Sequence, residues 1–230
     1  MKYKADQKCS YLPNKRNLLF LLFVLPVLNL YAQKEFSPDL SKAGENNLWT
    51  VSNREIIINK KDVYLTDKAN AGMLYLQDFF LENGKVEFDV KGRDMLQKSF
   101  VGLAFHIEND STYDAVYFRP FNFKTPGKEG RSVQYISIPG YDWPELREKS
   151  PGKYENKVQP IPEPSSWFHV TVELKYPSVK VFVNYSAKPS LVVEQLNART
   201  TGKIGFWVGN GSDGYFRNLK IVPAQNKHKL

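Results

Sequence analysis

The stretch that decides the fold is GLAFHIENDSTYDAVYFRPFNF, residues 102–123. Apolar and β-branched residues alternate along it with a period of two, and a turn sequence at 109–111 divides it, so it predicts a buried β-hairpin. Four polar side chains interrupt the apolar run: His106, Tyr117, Arg119 and Asn122. Such groups either face solvent or line the floor of a binding groove.

The same period of two continues over most of the chain from Arg54 onward, with turn sequences between the apolar runs. No amphipathic helix of useful length interrupts it. Many short strands in one mid-sized domain predict an all-β fold, a two-sheet antiparallel jelly-roll sandwich. The predicted strands cover residues 54–59, 62–66, 73–77, 84–91, 99–107, 112–119, 131–138, 167–175, 178–185, 190–195, 202–208 and 215–222.

A proline-rich insertion at residues 120–165 breaks this pattern. Eight of the chain's 14 prolines fall within it, so it cannot be continuous sheet. Asp142 is placed to cap one short helix, with Pro144 in its first turn. Long loops inside a compact domain are usually functional or disordered, and the aromatic residues of this one favour an ordered loop. The insertion is therefore predicted to form one wall of a site.

Residues 1–32 have the composition of a secretory signal peptide. Lys15 and Arg16 precede an apolar run of 13 residues that ends at Leu30, and Ala32 supplies a small residue at the cleavage point. The run is shorter than the roughly 20 residues that a membrane-spanning helix needs, so no membrane span is expected after cleavage. We therefore predict a secreted or periplasmic protein with a signal peptide at 1–32, an N-terminal lead-in at 33–53, the jelly-roll domain at 54–223 and a polar tail at 224–230.

Cleavage of this segment changes the charge of the chain and removes its cysteine. The formal net charge is +8, of which +4 lies in residues 1–32, where five basic residues oppose Asp6. The remaining +4 is scattered, without the basic patch that nucleic-acid binding needs, so nucleic acid is not an expected partner. The one cysteine, Cys9, also leaves, and the fold must then depend on its hydrophobic core.

The period of two sorts the side chains of each strand into two rows. One row is aliphatic and aromatic, as expected for a core. The other row combines small residues with large polar-tipped ones: Gly102, Ala104 and His106, then Tyr113, Ala115, Tyr117 and Arg119, then Gly205 and Trp207. On such a face the small residues leave a depression between the large side chains. It suits a sugar, because aromatic rings cover the C–H face of the sugar and polar groups meet its hydroxyls.

We therefore predict a carbohydrate ligand in a concave groove. Its floor would be formed by His106, Tyr117, Arg119 and Trp207, and its wall by Asn122, Gln134, Tyr135 and Trp143. Arg119 and Asn122 would donate to hydroxyls or to a carboxylate, while Trp207 or Trp143 would stack on a sugar ring. The alternative is that these residues only pack beneath the proline-rich insertion.

The order of several motifs resembles a known superfamily. The motifs are GKVEF at 84–88, VGLAF at 101–105, WFHVTV at 167–172, VKVFVN at 179–184, GKIGFWVG at 202–209 and YFRNLKI at 215–221. Together they resemble the concanavalin A-like lectin/glucanase superfamily, and within it laminin G-like modules and the 3-keto-disaccharide hydrolase-type domain of secreted bacterial proteins. The resemblance covers residues 45–223 and implies a jelly roll whose concave sheet often holds carbohydrate. It implies no particular activity, because one fold hosts many functions.

Catalytic residues are harder to place. Members of that superfamily that cleave β-glucans carry an E-x-D-x-x-E pattern; Glu87 and Asp89 have its first spacing, but Gly92 stands at the third carboxylate position. One alternative function is a glycoside hydrolase or lyase that uses Glu145 or Glu155 with His106. Another is a protein–protein adhesion module without a small ligand.

No cofactor and no metal are expected. The histidines are not paired and no cysteine follows residue 32, which excludes structural zinc. Oxygen ligands of the kind that calcium prefers cluster at residues 108–110 and at Asn210 and Asp213. Both segments are also ordinary turn sequences, and this is the interpretation that we favour.

Overall fold

Fourteen β-strands, numbered β1–β14 in chain order, form most of the part of the chain that the computed structural model describes, namely residue 1, residues 34–45 and residues 47–225. Their bounds are β1 Trp49–Ser52, β2 Ile56–Asn59, β3 Asp62–Leu65, β4 Gly72–Leu76, β5 Gly84–Lys91, β6 Val101–Asn109, β7 Thr112–Phe118, β8 Val133–Ile138, β9 Glu155–Asn156, β10 Phe168–Lys175, β11 Ser178–Val183, β12 Leu191–Glu194, β13 Lys203–Val208 and β14 Gly214–Pro223. One α-helix, α1 (Trp143–Lys149), and 3₁₀ turns at Leu40–Lys42, Pro120–Asn122 and Glu129–Arg131 complete the described secondary structure.

The strands form two antiparallel sheets of seven strands each. The front sheet has the order β1-β4-β13-β6-β7-β8-β9, and the back sheet has the order β12-β11-β10-β5-β14-β3-β2. In the front sheet, the hairpin of β6 and β7 pairs Val101 with Phe118 and Leu103 with Val116. Sequence neighbours such as β5 and β6 lie in different sheets, as expected for a jelly-roll sandwich.

The hydrophobic core lies between the two sheets and contains the apolar row of each strand. Leu103 and Phe105 of the front sheet and Phe88 and Val170 of the back sheet are completely buried. The rings of Phe206 and Phe216 stack across the two sheets with centroids 4.5 Å apart. Burial of such rows is the main stabilising contribution, because the described chain has no disulfide to reinforce it.

The predicted fold class is confirmed, and the twelve predicted strands all form with small shifts at their ends. Two strands were missed. Strand β1 lies inside the predicted lead-in and pairs with β4, and β9 has two residues. Strands this short show too few alternations for a period of two to be recognised. The predicted short helix also forms, since Asp142 caps α1 and Pro144 lies in its first turn.

The predicted signal peptide lies outside the described residues, except for residue 1, and so does most of the predicted polar tail. No helix in the described part of the chain is long and apolar enough to cross a membrane.

Candidate functional site

The outer face of the front sheet is not a solvated surface. The register places Trp207, Gly102, Tyr117 and Gln134 side by side across β13, β6, β7 and β8. All four residues are buried, and the most exposed of the three side chains, that of Trp207, is 5% exposed. Helix α1 packs beside β8, and the start of the helix reaches the same face. The row of small and polar-tipped residues therefore lies partly beneath the proline-rich insertion.

A cavity of about 260 Å³ remains between this face and the loops around it. Five aromatic residues line it: Phe100, Tyr113, Tyr117, Trp143 and Trp207. Its other lining residues are Asn70, Ala71, Ile136, Ile138, Asp142, Gly209 and Asn210. We call this space the aromatic cavity. It combines ring faces with a few amide and carboxylate groups, which is the usual composition of a small-molecule site.

Two glycines lie in the same outer row as Tyr117 and Trp207. A Cβ atom added to Gly102 would lie 2.1 Å from the carbonyl oxygen of Val116, and one added to Gly205 would lie 2.3 Å from that of Leu74. No side chain fits at either position, because the neighbouring strand backbones occupy the space. The rings of Tyr117 and Trp207 therefore meet over Gly102, with centroids 4.9 Å apart.

Hydrogen bonds fix the orientation of these rings. The indole Nε1 of Trp207 donates to the hydroxyl of Tyr113 at 3.2 Å, and Arg119 donates from Nη2 to the hydroxyl of Tyr117 at 2.7 Å. The ring of Phe100 stands nearly perpendicular to that of Tyr117, at 82°. Burial raises the pKa of both tyrosine hydroxyls, so both stay neutral and remain hydrogen-bonding groups at ordinary pH.

One buried arginine positions the polar side of the rim. Arg54 is 6% exposed and donates to the carbonyl oxygens of Asn70 and Gly209, both at 2.8 Å. The backbone N–H of Asn70 in turn donates to Oδ1 of Asn210 at 2.7 Å. The two loops that carry Asn70 and Asn210 are thereby linked to each other across 140 residues of sequence.

The opposite side of the rim is the start of α1. Oδ1 of Asp142 accepts a hydrogen bond from the backbone N–H of Trp143 at 2.7 Å, which is the capping role predicted for it. Burial raises the pKa of Asp142, the nearby Glu145 adds to the effect, and Arg119 opposes it. The side chain of Trp143 is 43% exposed, so it is the most accessible ring of the cavity.

The structure brings three of the eight predicted ligand-binding residues to the cavity: Tyr117, Trp143 and Trp207. Arg119 and Gln134 lie in the same row but do not line it. The guanidinium of Arg119 is 4.9 Å from the centroid of the Tyr117 ring and also donates to Gln134 at 3.3 Å. Arg119 therefore holds Tyr117 directly, and Gln134 holds Arg119.

Asn122 and Tyr135 are placed differently from the prediction. Nδ2 of Asn122 donates to the carbonyl oxygen of Arg131 at 3.0 Å and stabilises the turn that follows β7. Tyr135 pairs with Val116 in the apolar row, is completely buried, and donates from its hydroxyl to Asp114 at 2.7 Å. Gln134 and Tyr135 are consecutive residues of β8, and consecutive residues of a strand face opposite sides of the sheet. Tyr135 therefore lies in the core row, whereas Gln134 lies in the outer row.

His106 also leaves the predicted row. Its φ is +48°, and the register of β6 with β7 shifts between Phe105 and Asn109, which marks a β-bulge. The imidazole Nε2 donates to the carbonyl oxygen of Glu82 at 3.2 Å, and Nδ1 accepts from Gln195 at 3.2 Å. Both ring nitrogens are therefore engaged, and the ring, 1% exposed, does not reach the aromatic cavity.

The candidate catalytic residues are likewise dispersed. Glu145 is exposed on α1, whereas Glu155 is buried in β9 and held by Arg147 through a bidentate pair with distances of 3.2 and 2.6 Å. Neither lines the aromatic cavity, and His106 lies elsewhere. Asp142 is the one acidic residue among those described that line it. Glycoside hydrolysis by the usual route needs two carboxyl groups about 5–10 Å apart.

The candidate calcium ligands form turns. Oδ1 of Asn109 accepts hydrogen bonds from Ser111, and Asp213 pairs with Arg93 at 2.7 Å. Among the described residues, no group of three or more His, Cys, Asp or Glu side chains is placed to hold a metal ion.

Sequence reasoning missed several lining residues for identifiable reasons. Tyr113 belongs to the same row as Tyr117, so the period of two already placed it on this face. Phe100 lies in the predicted strand 99–107, two residues from Gly102, so the same period places it on this face. Asn70 and Asn210 lie outside strands, and only the tertiary structure brings them to the cavity. A second depression of about 480 Å³ lies beside β14 on the back sheet, but no aromatic ring lines it.

Comparison with known proteins identifies the fold. No protein-family model matches the chain, and no curated protein sequence is significantly similar to it. Solved structures do match. A Bacillus subtilis protein of unknown function with a galectin-like fold has a TM-score of 0.56 at 13% identity, over 82% of this chain and 96% of that one. The carbohydrate-binding module CBM66 of Bacillus subtilis has a TM-score of 0.54 at 12% identity, over 75% and 94%.

Two further solved structures match at similarly low sequence identity. The exoplasmic/lumenal domain of VIP36 in its Ca²⁺- and mannose-bound form has a TM-score of 0.55 at 14% identity, over 80% of this chain and 86% of that one. A protein of Parabacteroides distasonis that is provisionally named a glycosyl hydrolase has a TM-score of 0.53 at 13% identity, over 82% and 94%. Identities this low establish the fold alone. The chain has the galectin-like, concanavalin A-like jelly-roll fold.

Proposed function

We propose that this protein binds carbohydrate in the aromatic cavity. The observation that carries the proposal is the composition of the cavity: five aromatic rings together with the polar side chains of Asn70, Asp142 and Asn210. Aromatic faces cover the apolar C–H surface of a sugar, and amide and carboxylate groups bond to its hydroxyls. The volume of about 260 Å³ is at the small end for ligand pockets, so it suits one sugar ring of a longer glycan.

Two features of the cavity support ligand binding rather than simple packing. The ring of Trp143 remains 43% exposed although it lines the cavity together with Tyr117 and Trp207. The rings at the floor are held by hydrogen bonds to Tyr113 and Arg119, so their positions are preorganised before a ligand arrives. Among proteins of similar fold, one is a carbohydrate-binding module and another was solved with mannose.

The proposed location is consistent with this function. The composition of residues 1–32 is that of a signal peptide, and export would bring the protein to extracellular or periplasmic glycans. Mass spectrometry of protein recovered from the medium or the periplasm would test this, with a mature chain that begins at Gln33 as the expected result. Recovery of the uncleaved chain in the cytoplasm would contradict it.

The binding proposal is tested by calorimetric titration of the full chain with a panel of oligosaccharides. Trp143→Ala should weaken binding by about tenfold, since removal of an aromatic anchor commonly exceeds 1.4 kcal/mol. Trp167→Ala is the matched control, because Trp167 stacks with Arg217 at 4.1 Å and does not line the cavity. Equal losses in both variants, or no binding by the unaltered protein, would contradict the proposal.

The same samples distinguish an enzyme from a binding protein. Mass spectrometry of the oligosaccharides after incubation should show unchanged chain lengths. The appearance of shorter products would instead indicate a glycoside hydrolase or lyase. If the protein neither bound nor cleaved any oligosaccharide and captured a protein partner instead, the result would favour an adhesion module.

A further inference from the structure

Among the described residues that line the aromatic cavity, five carry aromatic rings and one, Asp142, carries a charge. From this combination we infer that the preferred ligand is a sugar with a free, protonated amino group. The inference rests on the proposed carbohydrate function and names the class of sugar that the site selects.

The first step concerns the rings. Each aromatic face carries partial negative charge and attracts a cation within about 6 Å of the ring centre, most strongly when the cation is desolvated. Tyr117 and Trp207 lie 4.9 Å apart by their centroids, and Phe100 stands perpendicular to Tyr117. Trp143 and Tyr113 complete the lining. A small cation in this space would contact several of these rings together, as in the aromatic cages that bind alkylammonium groups.

The second step concerns the carboxylate. Oδ1 of Asp142 accepts from the backbone N–H of Trp143, and among the described residues Oδ2 has no hydrogen-bond partner. Burial and the neighbouring Glu145 disfavour the charged form of Asp142, which raises its pKa. A ligand ammonium would both donate to Oδ2 and neutralise the charge, whereas a hydroxyl would only donate.

The third step concerns competing cations. No lysine or arginine is among the residues that line the cavity. Two guanidinium groups lie over rings of the lining and are held by other partners: Arg119 is 4.9 Å from the centroid of the Tyr117 ring and donates to the hydroxyl of Tyr117. Arg147 is 4.9 Å from the centroid of the Trp143 ring and forms a bidentate pair with Glu155. Among the described residues no cation forms an ion pair with Asp142, although Arg119 favours its charged form from a greater distance. An acidic sugar would be repelled there and an amino sugar attracted.

Three β-1,4-linked oligosaccharides of equal length test the inference, because they differ only at carbon 2 of each ring. They are the oligomers of glucose, N-acetylglucosamine and glucosamine, which carry a hydroxyl, an acetamide and an ammonium group. We expect the full chain to bind the glucosamine oligomer about 10- to 100-fold more tightly than the other two, the range that a hydrogen bond to a charged group gives.

Asp142→Asn isolates the contribution of the charge. Asparagine caps helices as well as aspartate does, so α1 should be preserved. In this variant the ratio of the affinity for the glucosamine oligomer to the affinity for each neutral oligomer should fall to about one, whatever change the substitution makes in the neutral affinities themselves. Glu148→Gln removes an exposed carboxylate from the same helix and should leave the preference intact.

The results separate the inference from the function on which it rests. Equal affinity for the three oligomers, or a preference that survives Asp142→Asn, would overturn the assignment of an amino sugar while leaving carbohydrate binding in place. Binding of other neutral glycans but none of these three would have the same meaning. Failure to bind any member of the wider panel would overturn the proposed function itself.

Discussion

Glu155 is the residue whose replacement discriminates most sharply between a structural and a catalytic role. It is 8% exposed, and three guanidinium groups surround it. Arg147 forms a bidentate pair with it, while Arg119 and Arg131 approach its oxygens to 3.8 and 3.7 Å. Glu155→Gln retains the shape of the side chain and removes its charge, so the three guanidinium groups lose their shared anion.

The expected loss of stability follows from the burial of the group. Removal of one partner from a buried ion pair costs about 3–5 kcal/mol, because the other charge stays buried without compensation. The side chains of Arg147 and Arg131 are 27% and 53% exposed and are partly hydrated, so the lower end of the range, about 3 kcal/mol, applies. In a domain of this size, 1 kcal/mol lowers the Tm by about 2–4 °C, which gives a decrease of about 6–12 °C.

Urea and thermal denaturation of the full chain would measure this change. Glu148→Gln serves as the matched control, since Glu148 is exposed on α1 and its replacement should alter the free energy of unfolding by less than about 0.5 kcal/mol. A Glu155→Gln variant as stable as the control would refute the reasoning. If that variant also lost an oligosaccharide-cleaving activity of the unaltered protein, Glu155 would be a catalytic group after all.

Three further predictions concern the front sheet and the loops beside it. Gly102→Ala should destabilise the protein by about 3 kcal/mol in urea denaturation, because the added Cβ would lie 2.1 Å from a backbone oxygen of β7; near-neutral stability would show that β6 can shift. Arg54→Met should expose the amides of the 209–211 loop to faster hydrogen exchange, and unchanged protection there would contradict its role in linking the rim. Burial lowers the pKa of His106 below its usual 6.5, so the unfolded chain binds more protons and stability should fall as the pH drops below about 6.5. His106→Asn should flatten this decline between pH 7 and 5; an unchanged slope would exclude His106 as its source.

The charged groups around His106 define the size of that pH effect. Nδ1 of His106 is 3.9 Å from Asp114, whose charge favours protonation, whereas Arg199 and burial oppose it. Burial is the largest of these influences, which sets the direction of the shift. Asp114 itself accepts hydrogen bonds from Tyr135 and Asn197, so this polar cluster connects the linker after β12 to the front sheet.

The sequence by itself determined the class of fold and most of its strands. A period of two sorts residues into a core row and an outer row, and the outer row of the front sheet was recognised by its small residues at Gly102 and Gly205. The same pattern assigned Tyr117 and Trp207 to this row, and the strand register of the structure brings them side by side. The capped helix at Asp142 was also predictable, because capping depends on neighbouring residues alone.

Only the tertiary structure decided which polar groups reach the cavity. A β-bulge, which alternation cannot show, turns His106 away from the row, and a side-chain hydrogen bond engages Arg119 with Gln134. Asn70 and Asn210 meet because Arg54 links their loops across long stretches of chain. Alternation records which side of a strand a residue faces, whereas the composition of a site depends on contacts between residues that are distant in sequence.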